Sequence, residues 1–265
     1  MPVIDPSRLQ KQIRFCFAKQ SNTELFVTAI KDLLESYSDH TYRPGELSTL
    51  PSSLQSYHVP QPLIWALRRE LASLGQSHPE QALAIAKEMW EQPFREFKHL
   101  AISILENLPS EMEKELFRIA EQWVSTCIYN DLIESIAQHV MNNIRTKQPA
   151  TLIDQAQKWV VDERLNVRMF GFFVLEQISV SISFSDLPLL FKIISPYLNR
   201  CPTQIYPHIV SICNNLIAKS PKEMAYLMHT AVIENPSADA RKLIKSCLPA
   251  FPIEQQNDLS SLIKP

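Results

Sequence analysis

Nine cations, Arg95, Lys98, Arg145, Lys147, Arg164, Arg168, Arg241, Lys242 and Lys245, fall in alternate apolar-periodic segments of the chain. Arg68 and Arg69 extend the set toward the N-terminus. Guanidinium and ammonium groups set out in this way bind phosphate, and they do so by local charge rather than by the total charge of the protein. That total is slightly acidic, with 26 Lys and Arg against 28 Asp and Glu, so the chain lacks the overall balance of a strongly basic nucleic-acid binder. Other chemistries find no constellation. The seven histidines (His40, His58, His78, His99, His139, His208, His229) form no HExxH and no Cys/His pair at zinc-ligand spacing. The five cysteines are odd in number, show no CxxC and lie mostly in apolar helical runs, which reads as buried reduced thiols. No serine stands in a G-x-S-x-G elbow. Gly45, Gly75 and Gly171 are the only glycines, so neither a dinucleotide fingerprint nor a phosphate loop can be written. No cofactor and no metal is expected.

The elements that must position these cations are helices. Three segments share a signature: Ala86 to Glu91 around Trp90, Ala120 to Val124 around Trp123, and Ala156 to Val160 around Trp159. The tryptophans are 33 and then 36 residues apart. Each closes an apolar helical run and is followed by a break and a second helix: 94–108, 131–144 and 166–178. Two further units, 187–199 with 204–219 and 222–234 with 238–250, continue without tryptophan. Pro79, Pro93, Pro109, Pro149, Pro202, Pro221 and Pro236 precede the apolar segments, and proline is tolerated in a first helical turn because that N–H has no partner there. A helix pair cannot bury its apolar stripe alone, so stacked neighbours supply the core. The Thr-Pro-Leu-His turn of ankyrin and the Trp, Leu-Gly, Tyr pattern of tetratricopeptides are absent. The expectation is all-α, a right-handed α-α superhelix of the HEAT/ARM-like repeat solenoid kind. Residues 1–78 are expected to form an N-terminal helical cap with a Pro-rich loop at 37–62, and residues 79–265 an array of about five helix pairs. The tryptophans read as core anchors.

Charge separates the two helix sets. First helices (79–91, 110–126, 151–162, 186–199, 221–234) carry 6 basic and 12 acidic residues. Second helices (93–108, 129–147, 163–179, 203–219, 237–250) carry 10 basic and 7 acidic. In a curved stack one set lines the concave side, so a mildly basic groove is expected, with Arg95, Lys98, Arg145, Lys147, Arg164 and Arg168 as phosphate-binding candidates.

Met89-Trp90-Glu91-Gln92-Pro93-Phe94-Arg95-Glu96-Phe97-Lys98 resembles a motif of the DNA alkylation repair glycosylases with HEAT-like repeats, matching at Trp90, Glu96 and Lys98. Tyr129-Asn130-Asp131-Leu132-Ile133-Glu134 resembles that family's Trp-Asp-Leu-Val-Asp element, and Asn166-Val167-Arg168 its Trp-x-Arg-Arg element. The resemblance covers roughly residues 63–180. It implies double-stranded DNA as partner and catalytic roles for Glu134, Arg168 and Tyr129. In the family, aromatic rings and a carboxylate face a cationic damaged base and stabilise the positive charge that develops on its sugar. Three departures stand out: Glu134 replaces the aspartate, and Asn130 and Leu165 stand where tryptophans belong. A divergent member with weakened or lost glycosylase activity is therefore expected. The alternative is a non-catalytic scaffold that holds a protein partner in the groove. The first residues lack a basic n-region and no run reaches the ~20 apolar residues of a membrane span, so a soluble, cytoplasmic protein is expected.

Overall fold

The computed structural model describes residues 5–39, 54–181, 184 and 186–262. Most of the expected 37–62 loop, with His40 and Gly45, lies outside the described residues. Two compact units, Met1–Ala120 and Glu121–Pro265, divide the chain.

The first unit holds α1 (Pro6–Phe17), α2 (Thr23–Ser36), α3 (Gln61–Ser77), α4 (Pro79–Glu91), α5 (Arg95–Glu106) and the first half of α6 (Glu113–Thr126). Asp5 caps α1 by accepting from the Ser7 N–H at 2.9 Å, and Asn22 caps α2 by accepting from the Leu25 N–H at 3.0 Å. Each cap satisfies a donor that the first turn leaves unpaired. α2 packs on α4, and α3 packs on α5, which makes two helix layers. Leu63, Leu67 and Leu71, four residues apart, are fully buried on α3, and Phe97, Leu100, Ala101 and Ile104 are likewise buried on α5, the helix that α3 packs against. The expected pair 79–91 and 94–108 is thus present as α4 and α5.

The second unit runs from the end of α6 through α7 (Asn130–Ser135), a π-turn (Ile136–Val140), α8 (Asn142–Lys147), α9 (Pro149–Val160), α10 (Leu165–Val180), α11 (Leu187–Asn199), α12 (Tyr206–Lys219), α13 (Pro221–Glu234), α14 (Ala238–Cys247) and α15 (Ile253–Leu262). One layer follows α7, α10, α12 and α14; the other follows α11, α13 and α15, and α9 packs against α10. Pro79, Pro149 and Pro221 open α4, α9 and α13, so three of the expected prolines occupy first helical turns. Trp90, Trp123 and Trp159 are buried, and Trp159 lies 4.7 Å from the ring of Phe170. Gly171 lets α10 press against α9, since a Cβ there would stand 2.8 Å from the Val160 nitrogen.

The helix expected at 131–144 is interrupted by the π-turn. Its buried residues recur every four positions: Leu132, Ile136, Val140 and Ile144, with Ile133, Ala137 and Met141 beside them. An α-helix turns every 3.6 residues and would rotate this stripe off the core. A wider i→i+5 turn holds the extra residue and keeps the stripe facing inward. α15 was not anticipated, because its one buried apolar residue, Leu259, gives the sequence no stripe. No helix among the described residues is long and apolar enough to cross a membrane.

Candidate nucleic-acid interface

Within the second unit α7 and α10 pack together and begin side by side. The Asn166 side-chain amide donates to the Cys127 carbonyl at 2.7 Å, which ties the first turn of α10 to the connector before α7. Ile128 on that connector is 71% exposed, and Leu165, the first residue of α10, is 41% exposed. Tyr129 is half-buried and forms the N-cap of α7, and Asn130, Asp131 and Glu134 are exposed along its outer face. Single exposed aliphatic residues are ordinary on a protein surface. Two on adjoining helix starts, beside a tyrosine and a carboxylate, offer an apolar contact and a negative charge in one place.

Asp162 organises the cations at the start of α10. The Arg164 backbone N–H donates to its Oδ1 at 2.8 Å, and the Arg164 guanidinium pairs with its Oδ2 at 2.8 Å and with Glu121 Oε1 at 2.6 Å. The other Glu121 oxygen accepts from the Trp159 indole at 3.1 Å. Hydrogen bonds from Arg164 hold the Asp162 carboxyl below its ordinary range, and the same bonds, with those to Glu121, raise the Arg164 guanidinium further above its own. Arg168 donates to the Asp162 carbonyl at 3.0 and 2.9 Å and to the Glu163 carbonyl at 3.4 Å. Arg164 is therefore flanked by two carboxylates, and Arg168 clamps the connector between α9 and α10.

Arg145 and Lys147 lie at the far end of the same helix run that begins with Asn130. Seventeen residues at 1.5 Å each put Lys147 about 25 Å along the axis from Asn130. Arg145 is half-buried and donates to Asn142 Oδ1 at 2.6 Å; burial lowers its pKa. Lys147 is exposed. These four cations thus stand as two pairs, Arg164 and Arg168 at the start of α10 and Arg145 and Lys147 at the end of α8. Deeper in the unit, His208 and Ser211 bond to Glu176 at 3.1 and 2.5 Å, which joins α12 to α10.

In the first unit Arg95 and Lys98 share α5. Arg95 is exposed, and its backbone N–H donates to the Gln55 carbonyl at 2.8 Å. The Lys98 ammonium donates to the Trp90 carbonyl and sits 4.7 Å above the Trp90 ring. Between them stands Glu96, which sequence reasoning took only as part of a motif. It is 9% exposed, and its Oε1 accepts from Ser56 Oγ at 2.7 Å, Tyr57 N at 2.9 Å and His58 N at 3.0 Å. His58 is held at φ 53°, a left-handed conformation that non-glycine residues seldom adopt. Tyr57 stacks on Phe94 at 4.0 Å, and burial, then the charges of Glu35 and Glu96, push its hydroxyl up to about 12. No local signal marks this anchor, because its two halves are about 40 residues apart.

A family model described as DNA alkylation repair enzyme matches residues 17–202, from the end of α1 to just past α11. No curated protein matches the chain.

Proposed function

The chain belongs to the DNA alkylation repair enzyme family, and from that premise we propose that it binds double-stranded DNA on the face where α7 and α10 begin, with alkylpurine excision weakened or lost. The observation that carries this reading is the rim formed by Ile128, Tyr129, Glu134 and Leu165 at the joined starts of α7 and α10, which lies inside the matched span. Aliphatic side chains at such a rim can press against sugars or wedge at a base step, as apolar residues do in minor grooves. Glu134 supplies a negative charge beside any positive charge developing on a sugar. An aliphatic Leu165 and an amide Asn130 give a cationic base no aromatic face and leave half-buried Tyr129 as the ring of this rim, which weakens the cation–π contact that favours alkylated purines. Within the second unit, exposed Lys147 supplies a phosphate contact, and Arg164 and Arg168 at the start of α10 lend their charge to the same face while they stay bonded to the connector. Arg145 and Lys98 act mainly by positioning their own helices.

The test is duplex binding against salt concentration. Affinity should fall steeply between about 50 and 200 mM salt, as phosphate contacts do. Absence of binding at about 50 mM would remove DNA from the reading and leave a protein-binding scaffold in its place. Excision is read separately, as release of 7-methylguanine or 3-methyladenine from alkylated duplex.

A further inference from the structure

The first unit contains a cavity of about 930 Å³ between α3, α5 and the segment before α3. Its size is in the range of cavities that hold small organic ligands. Glu96, His58, Arg68, Arg95, His99 and Ile64 are among its walls. Glu96 is nine-tenths buried, and while its Oε1 accepts three hydrogen bonds, its Oε2 is buried without a partner among the described residues. An unsatisfied buried carboxylate oxygen is costly, and a ligand that brings an N–H to it relieves that cost. Arg68, whose side chain is 40% exposed, donates to Ser103 Oγ at 3.3 Å and lies 3.5 Å from Glu106 Oε2, which leaves it positioned rather than mobile. A second, independent observation lies on the same helix. Trp65 is 64% exposed on α3, next to Ile64 and three and four positions before Arg68 and Arg69. Residues at that spacing are neighbours on a helix surface. Trp90, Trp123 and Trp159 are all buried, so Trp65 is the one indole of four held out to solvent.

An exposed aromatic ring beside arginines is the arrangement by which proteins hold unpaired nucleic acid, with bases stacked on rings and phosphates on cations. We propose that this cavity and its rim form a subsite for an unpaired segment of a DNA strand. A base with an exocyclic amino group gives its N–H to Glu96 Oε2, the phosphate lies at Arg68 and Arg95, and the adjoining base stacks on Trp65. Only one carboxylate oxygen lacks a partner among the described residues, so a single amino donor suits it, as when a carboxylate accepts from the cytosine amino group. Thymine is disfavoured, because its only N–H is flanked by two carbonyl oxygens that would face the carboxylate. This inference rests on DNA as the ligand and adds a single-strand site to it.

Trp65 makes the site its own reporter. Short single-stranded oligonucleotides of cytosine, of adenine and of thymine are titrated into the full chain at low salt while tryptophan fluorescence is followed. Cytosine and adenine oligomers should change the emission at lower concentration than thymine oligomers, and Trp65→Ala should abolish the change and weaken binding about tenfold. Glu96→Gln keeps an oxygen for Ser56, Tyr57 and His58 but turns the open position into a donor, so the preference should shift toward thymine. Arg68→Ala keeps both and should weaken all oligomers alike. An emission change with no base preference that survives Glu96→Gln and Arg68→Ala overturns the proposal, as does silence of Trp65 toward every oligomer. Duplex binding with a silent Trp65 leaves the DNA reading standing without this subsite. Loss of duplex binding with a responsive Trp65 does the reverse.

Discussion

The Asn166 side chain reaches 2.7 Å to the carbonyl of Cys127, and this one bond sets the start of α10 beside the start of α7. The bond is the reason that Ile128 and Leu165, 37 positions apart in the chain, share a rim. It also satisfies a carbonyl of the connector after α6. Replacing Asn166 with alanine removes a half-buried hydrogen bond, at a cost of about 1 kcal/mol. For a chain of this size that lowers the melting temperature by roughly 2–4 °C. Duplex affinity should fall by more than this stability loss accounts for, because the rim loses its alignment. Thermal melts and DNA titrations on the same preparation check both parts, and an unchanged affinity would detach the rim from DNA binding.

Glu134 is exposed and stands on the outer face of α7. Glu134→Gln should therefore leave stability within about 0.5 kcal/mol. Removing a negative charge from a DNA-facing surface should strengthen duplex binding slightly at low salt. Any residual release of alkylated purine should disappear. Unchanged release would exclude Glu134 from the chemistry.

At Gly171 a methyl group would lie 2.8 Å from the Val160 nitrogen and 2.9 Å from the Trp159 Cβ. Neither neighbour can swing away, since one is backbone and the other is the root of a buried indole. Gly171→Ala should cost about 1–3 kcal/mol by overpacking, despite the helix preference for alanine of roughly 1 kcal/mol. Denaturant unfolding measures it, and a stabilised variant would show that α9 and α10 have room to separate.

Two carboxylates predict a loss of stability in acid. The hydrogen bond from Arg118, with that of Lys87, holds Glu115 at about 2, against 4.5 ordinarily. Burial alone would raise Glu176, but hydrogen bonds from His208 and Ser211 outweigh it and leave its pKa below the ordinary value. In both cases the folded state binds its proton less readily than the unfolded chain. Their contributions are therefore complete above about pH 5 and are lost as the pH falls through the lowered values. For Glu115 that window runs from about 4.5 down to about 2. Glu176→Gln should flatten the acid limb of a stability curve measured by denaturant unfolding at successive pH values. An acid limb of unchanged steepness would show that the link between α10 and α12 does not depend on the Glu176 charge.

The helix pairs were legible because their signal is local. Apolar residues at three- and four-residue spacing, prolines at first turns and a tryptophan closing each of three helices are all read within one or two dozen residues, and Trp159 at 1% exposure is the core anchor its position implied. Even the π-turn leaves a trace, in the four-residue recurrence from Leu132 to Ile144. The fate of the charges was not legible. Arg164 and Arg168 look alike in sequence, yet one meets Glu121, 43 positions away, and the other meets the connector carbonyls. Lys98 turns back onto Trp90. Glu96 anchors Ser56, Tyr57 and His58 across about 40 positions and leaves one oxygen without a partner among the described residues, in the wall of a cavity that no sequence window contains. Which segments are helices and which of their faces turn inward can be read from the chain alone, because backbone hydrogen bonds and apolar stripes depend on near neighbours. Which charges are paired and which face a ligand emerges only on packing, because a long polar side chain is satisfied by whatever distant group the packing of the helices brings within about 3 Å.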